Sequence, residues 1–372
     1  MHFELKYKIL DRILRHKRIS RNSKISTNYS NPSNPPSSTY KNLICITGFG
    51  HSGSGTVLDY LSEFNNATVI GFHDPNDSGY KKVNNLEFDL FRCPCGILDI
   101  ENYLNNDNYF SDNFVLKNFI HTAQYYYLKG GIYNDEFWNL TQQFIEEITE
   151  FKLPAMNNKS FEGLYHLGFK SCNHAKYKNI QSPMLINNTV QDYIYYLKNL
   201  SKEEYRKIAN KYLTNFFKTI ESKNYLVFDQ LTTNRTPNYE IEKEYLGNFK
   251  NICVYRDPRD VFVTGIVKSA SWIPKKPEIF VKWYLKRGIK RHLDFKHENK
   301  LTLRFEDFVL NYNEIAQKIN QFLEIDKTNH VHEKEYFNPE ISKKNIGIYR
   351  TYHNQEHIKY IEENLKEYCY EQ

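Results

Sequence analysis

Residues 48–61 read GFGHSGSGTVLDYL and follow the apolar run Leu43, Ile44, Cys45, Ile46. A short continuous apolar run is the mark of a strand buried on both faces, and the glycines after it signal a tight turn. Val57, Leu58 and Leu61 then fall on one helical face, so the stretch reads as strand, glycine-rich turn, helix. Such a junction gathers backbone N–H groups and the positive end of a helix dipole around one point, which makes an anion site with phosphate as its natural guest. A nucleotide-hydrolysing loop, GxxxxGK[ST], carries lysine after its last glycine. Here Gly50 and Gly55 have that spacing, but Thr56 follows directly. Lacking the lysine and an evident magnesium-binding aspartate, the loop is suited to gripping a phosphate and poorly built to move a γ-phosphoryl group. Glycine-rich turns also serve purely structural roles.

Strands and helices alternate along the rest of the chain. Strands are predicted over 43–47, in ATVIGF, and over 225–228, 251–255 and 301–305; helices over 56–64, 261–267, 277–297, 312–323 and 355–368. This pattern predicts an α/β fold, a parallel central sheet flanked by helices, with its ligand site at the carboxyl ends of the strands. Residues 41–372 are expected to form one domain. Within it, residues 73–220, rich in Asn, Tyr and Phe, are expected to hold a largely helical insertion.

The 372 residues are 40% hydrophobic and 16% aromatic, enough for a substantial core. No long apolar run or compact apolar leader is evident, so a soluble, cytoplasmic protein is expected. The six cysteines are scattered, and Cys93-Pro94-Cys95 has no matching pair to complete a zinc site, so no metal is expected. Eight cations against two acids in residues 1–24 account for the whole net charge of +6. The remainder is neutral, which argues against a nucleic-acid partner. Phe3, Tyr7, Leu10 and Leu14 give residues 1–24 the pattern of a basic amphipathic helix. It is suited to an anionic membrane surface or a partner, or to packing on its own domain. A Ser/Asn/Pro-rich linker completes the segment 1–40.

A second motif lies in NICVYRDPRDVFVTG, residues 251–265. A strand runs into Arg256-Asp257-Pro258-Arg259-Asp260 and then into a helix, with Pro258 suited to its first turn. Thr264 follows Arg256 by two helical turns, so a guanidinium and a hydroxyl can converge on one phosphate; Asp257 or Asp260 would cap the helix or orient the arginines. An Arg–Asp network at a helix start reads the same segment without any ligand.

With these two anion sites at two strand ends, the sequence resembles the sulfotransferases that use 3′-phosphoadenosine-5′-phosphosulfate (PAPS). GHSGSGT is similar to the GHSGST loop of bacterial-type members, with one extra glycine, and RDPRDVFVT to the family's RxPxDxxxS segment. YLVFDQ (225–230), LRFEDFV (303–309) with INQFLEI, and NIGIYRTYHNQEHIKYIEENL near the end resemble further family segments in the same order, Tyr349 standing in a tryptophan position.

The resemblance implies that Ser52, Gly53, Ser54, Gly55 and Thr56 hold the 5′-phosphosulfate, that Arg256 and Thr264 hold the 3′-phosphate, and that Lys343, Lys344 and Gly347 close over the nucleotide. The extra glycine leaves the loop register open by one residue, between Ser52 and Ser54. His51 stands where the family has lysine or arginine, so its charge depends on adjacent phosphates. The implied reaction moves a sulfuryl group from PAPS to a hydroxyl acceptor and needs no metal. Candidates for the proton-accepting group are Glu87, Asp229 and His73, with His51 a further catalytic candidate. Glu306 and Asp307 read as caps of the helix after their strand. The 30 Tyr and 25 Phe suit stacking on sugar rings, which favours a carbohydrate acceptor. The alternatives are a P-loop kinase or nucleotide hydrolase, and a non-catalytic protein of the same fold that binds a nucleotide or sulfated ligand.

Overall fold

The computed structural model describes residues 42–70, 96–105, 112–129, 131–154, 193–220, 223–232, 239–270, 272–286 and 288–371. The expected N-terminal helix and linker, and with them His73 and Glu87, lie outside the described residues. In chain order the elements are β1 (Leu43–Gly48), α1 (Ser54–Ser62), β2 (Ala67–Ile70), α2 (Ile97–Asn105), α3 (Asp112–Lys129), α4 (Asp135–Ile148), β3 (Thr149–Pro154), β4 (Tyr193–Leu197), α5 (Lys202–Thr219), β5 (Tyr225–Asp229), α6 (Tyr239–Leu246) and β6 (Phe249–Tyr255). They continue with α7 (Pro258–Val267), α8 (Pro277–Lys286), α9 (Ile289–Asp294), β7 (Lys300–Arg304), α10 (Phe305–Leu310), α11 (Tyr312–Leu323), α12 (Pro339–Ser342) and α13 (Gln355–Leu365), with short 3-10 turns between α12 and α13.

Among the described residues, five strands form one parallel sheet in the order β2-β5-β1-β6-β7, flanked by helices. Every residue of β1 is buried, as expected of a central strand covered on both faces. Alternation along the strand divides the core. Leu43 and Cys45 face a cluster built with α2–α6, whereas Ile44 and Ile46 face Val57, Leu58 and Leu61 of α1 and Phe308, Ile315 and Ile319 of α10 and α11. β3 and β4 pair as an antiparallel ribbon apart from this sheet. Among the described residues, no helix is long and apolar enough to cross a membrane.

The strand order fixes where a ligand belongs. From β1 the chain leaves through α1 to β2 at one edge and returns to β5 beside β1; it then crosses to β6 on the other side. Connections that part in opposite directions open a crevice at the carboxyl end of β1, between β5 and β6.

One expectation needs correction. The helix predicted over 277–297 is two, α8 and α9, because Gly288 takes a left-handed conformation (φ 77°) between them. A glycine inside an apolar helical period does not betray this from sequence, since glycine is tolerated in either conformation.

Candidate functional site

The turn after β1 is shaped by three left-handed residues, Gly50 (φ 80°), His51 (φ 50°) and Gly53 (φ 87°). His51 carries a side chain in a conformation that only glycine adopts freely, so its surroundings hold it there. The loop is closed from within. Ser52 Oγ accepts the Phe49 N–H (3.0 Å), and Thr56 donates both its N–H (3.0 Å) and its hydroxyl (2.7 Å) to the Gly53 carbonyl. Side chains wedge it in place: a Cβ on Gly50 would overlap Trp272, and one on Gly53 would overlap the Phe305 ring.

Helix α1 starts at Ser54 with Gly53 as its N-cap and no side chain capping it, so the first amides of α1 face the turn. A Cβ on Gly55 would meet nothing within 4 Å. Gly53 is thus the left-handed turn glycine, and Gly55 sits in the first turn of the helix. Ser52 is buried and engaged by the loop, while Ser54 packs against Gly48 at the head of the helix.

Across the crevice, Arg256 leaves the end of β6 and is 5% exposed. Its Nη1 donates to the His51 carbonyl (3.3 Å) and to Thr264 Oγ1 (3.2 Å), while its Nη2 donates to the Asn345 carbonyl. The guanidinium lies over the Phe305 ring at 5.0 Å, and Nε is buried without a hydrogen-bond partner. Asp260 stands 3.7 Å from Nη2. Burial outweighs this pairing on both sides: it lowers the Arg256 pKa and raises that of Asp260.

The two arginines and two aspartates of the motif divide the work. Asp257 caps α7 by accepting the Arg259 N–H (2.8 Å) and also binds the Arg259 guanidinium (2.7 Å). Arg259 turns away from the loop, lies over the Tyr349 ring at 4.0 Å and pairs with Glu362 at 3.0 Å. Asp260 accepts the N–H groups of Gly347 (2.8 Å) and Tyr349 (3.1 Å). Arg256 is thus the cation directed at the loop, and its neighbours anchor the C-terminal segment.

Glu306 does not cap α10, contrary to the reading from sequence: the N-cap there is Arg304, with no side-chain cap. The Glu306 carboxylate reaches across to accept the Asp257 N–H at 2.9 Å, and burial pushes its pKa up to about 7. His51 stacks on Trp272 (centroids 5.2 Å apart, planes 25° apart), and its Nε2 is buried without a hydrogen-bond partner. Burial, then the charges of Lys268 and Arg256, lowers its pKa, so the imidazole is neutral near pH 7.

The structure brings together His51, Ser52, Gly53, Ser54, Gly55, Thr56, Arg256 and Thr264. Asp229 ends β5 opposite Ile46 of β1, on the other flank of the loop from Arg256. Lys343 is turned toward Glu340 (2.7 Å) and Lys344 is exposed. What this segment sends to Arg256 is the Asn345 carbonyl, with Gly347 in a left-handed turn (φ 72°) held by Asp260. Trp272, Phe305 and Asn345 were not foreseen. The glycines they press on were visible in the sequence, but which distant side chain replaces a missing Cβ is set by tertiary packing.

No protein-family model matches the chain, and no curated protein matches it. Among solved structures it is similar to the sulfotransferase domain from the Synechococcus PCC 7002 olefin synthase, at 10% identity and a TM-score of 0.37, covering 92% of this chain and 100% of that one. It is also similar to sulfotransferase STF9 from Mycobacterium avium, at 10% identity and a TM-score of 0.34, covering 88% of this chain and 76% of that one. Retinol dehydratase in complex with androsterone and inactive cofactor PAP is similar at 13% identity and a TM-score of 0.34, covering 91% of this chain and 84% of that one. Overlaps this loose carry no argument about function.

Proposed function

We propose that the chain transfers a sulfuryl group from PAPS to a hydroxyl acceptor. The observation that carries this reading is a donor set for two anions on neighbouring strands. The uncapped head of α1 follows β1, and a buried guanidinium with a partnerless Nε stands beside Thr264 at the end of β6. Buried polar groups left without partners are uncommon, and an incoming phosphate oxygen satisfies this one. The order of sequence segments supports the same reading, and the absence of a lysine after Gly55 weighs against a P-loop kinase or hydrolase.

On this reading PAPS, when bound, supplies an activated sulfuryl group. The α1 amides, Ser54 and Thr56 hold its 5′-phosphosulfate, and Arg256 with Thr264 holds its 3′-phosphate. The acceptor oxygen forms a bond to sulfur as the bond from sulfur to the phosphate oxygen breaks, and adenosine 3′,5′-bisphosphate leaves. Donors aimed at that departing oxygen stabilise its charge. The acceptor proton goes to a base, for which Asp229 at the end of β5, Glu87 and His73 are the candidates, with neutral His51 in the loop as a further catalytic group. A carbohydrate is the preferred acceptor, and Lys343 and Lys344 would swing toward the nucleotide when it binds.

Calorimetric titration tests this reading. Adenosine 3′,5′-bisphosphate is expected to bind at least about tenfold more tightly than AMP, and Arg256→Ala to remove that preference. Equal binding of the two nucleotides would sink it, and magnesium-dependent turnover of ATP would replace it with a kinase or hydrolase.

A further inference from the structure

Of the large apolar side chains exposed among the described residues, four fall between residues 267 and 285: Val267 (75% exposed), Trp272 (44%), Ile279 (53%) and Leu285 (45%). The others, Leu310, Val331, Ile341 and Tyr360, are spread over the rest of the chain, so half of them fall in this one stretch of 19 residues. Exposed lysines are interleaved with them: Lys268, Lys275, Lys276, Lys282 and Lys286, against the single acid Glu278. On α8, Phe280, Val281 and Tyr284 face the core, while Ile279, Lys282 and Lys286 recur at helical spacing on the outward side with Leu285 beside them. The outward face of a surface helix is ordinarily dominated by charged and polar residues.

We propose that this face, from the end of α7 through α8, docks on an anionic lipid bilayer. Charge complementarity selects the occupant. A protein–protein interface is depleted of lysine at its centre, whereas here lysines stand between the apolar residues. At a bilayer surface that mixture is favourable: ammonium groups reach the lipid phosphates on their flexible stems while Ile, Leu and Trp enter the headgroup boundary. Tryptophan in particular favours that boundary. The same ring packs on the candidate site, with Trp272 stacked on His51 and lying 6.0 Å from Trp283 of α8. Docking therefore brings the glycine loop to the lipid surface. If the sulfuryl-transfer reading holds, the acceptor is a carbohydrate hydroxyl carried on a lipid headgroup; the docking itself does not depend on that reading.

The test uses the full chain without nucleotide, sedimented with vesicles of phosphatidylcholine or of equal parts phosphatidylcholine and phosphatidylglycerol. The protein is expected to sediment with the phosphatidylglycerol vesicles only and to be released by about 1 M salt. Tryptophan emission shifts to the blue on binding, and Trp272→Phe removes most of the shift. Ile279→Asp combined with Lys282→Glu is expected to weaken binding at least about tenfold. If that pair disturbs folding, Lys275→Glu with Lys276→Glu makes the same test from the loop before α8. No binding to either vesicle overturns the proposal. Binding that the variants leave unchanged also overturns it and assigns the lipid contact to residues 1–24. Lipid-free self-association abolished by Ile279→Asp would assign the face to a second copy of the chain.

Discussion

Gly53 and Gly55 are two residues apart and do different things. Gly53 sits at φ 87° with the Phe305 ring where a side chain would go, whereas Gly55 lies in the first turn of α1 with open space around it. Gly53→Ala is therefore expected to destabilise the protein by about 2 kcal/mol or more, from the left-handed backbone and the displaced ring together. Gly55→Ala has the opposite expected sign, a gain of about 0.5–1 kcal/mol from reduced unfolded-chain entropy and better helix propensity. Urea midpoints measure both. A bound phosphate adds a second expectation for Gly55, because an anion seated on the first amides of α1 occupies the space its Cβ would take. Loss of adenosine 3′,5′-bisphosphate affinity in Gly55→Ala, without loss of stability, marks that close approach. The sequence shows a glycine-dependent turn but not which glycine makes it, because the side chains that crowd Gly50 and Gly53, Trp272 and Phe305, lie over 200 residues away in the chain.

At the scale of elements, β1 was readable from its continuous apolar run and α11 from its helical apolar period, whereas β6 begins at Phe249, two residues before the strand expected over 251–255. Contacts between elements were not. Glu306, at the start of α10, looked like a helix cap from its position, yet its carboxylate braces the turn between β6 and α7 by accepting the Asp257 N–H. Burial is the main cause of its pKa of about 7, raised from 4.5, with the Asp257 amide and Arg256 pulling the other way. The folded protein thus keeps a proton that the unfolded chain gives up. This contribution to stability is full below the unfolded pKa and is lost as pH rises through about 7. Glu306→Gln keeps the acceptor and removes the titration. Between about pH 5 and about pH 8 it is expected to gain about 2–3 kcal/mol relative to wild type in urea unfolding. Asp59, also pushed up to about 7 by burial and by Glu63, titrates in both proteins and cancels in the comparison. Parallel slopes for the two proteins would show that Glu306 is ionised throughout.

At the scale of the whole molecule, alternation in the sequence predicts a parallel sheet but not its order, since β2-β5-β1-β6-β7 is decided by which helices cover which face. One long-range contact bears on how the loop is held. Glu63, at the C-terminal end of α1, is fully buried and accepts from His330 Nε2 (2.5 Å) and from the N–H groups of Tyr336 and Phe337 (3.2 and 2.8 Å). The helix whose head forms the candidate anion site is thereby tied at its tail to the segment that leads into α12. The His330 ring also stacks on Phe64 at 4.5 Å, so the tie is packed as well as hydrogen-bonded. Removing the ring leaves the buried Glu63 carboxyl with two amide donors and no side-chain partner. His330→Ala is therefore expected to destabilise the protein by about 3–5 kcal/mol, more than a surface pair would. The double variant Glu63→Gln/His330→Ala separates the causes. If the carboxyl left short of a partner dominates, the double variant recovers part of the loss; if lost ring packing dominates, it is no more stable than His330→Ala. Recovery should also restore the stiffness of α1, read as slow amide exchange at Val57 and Leu58. That couples the buried Glu63 carboxyl at one end of the helix to the candidate anion site at the other.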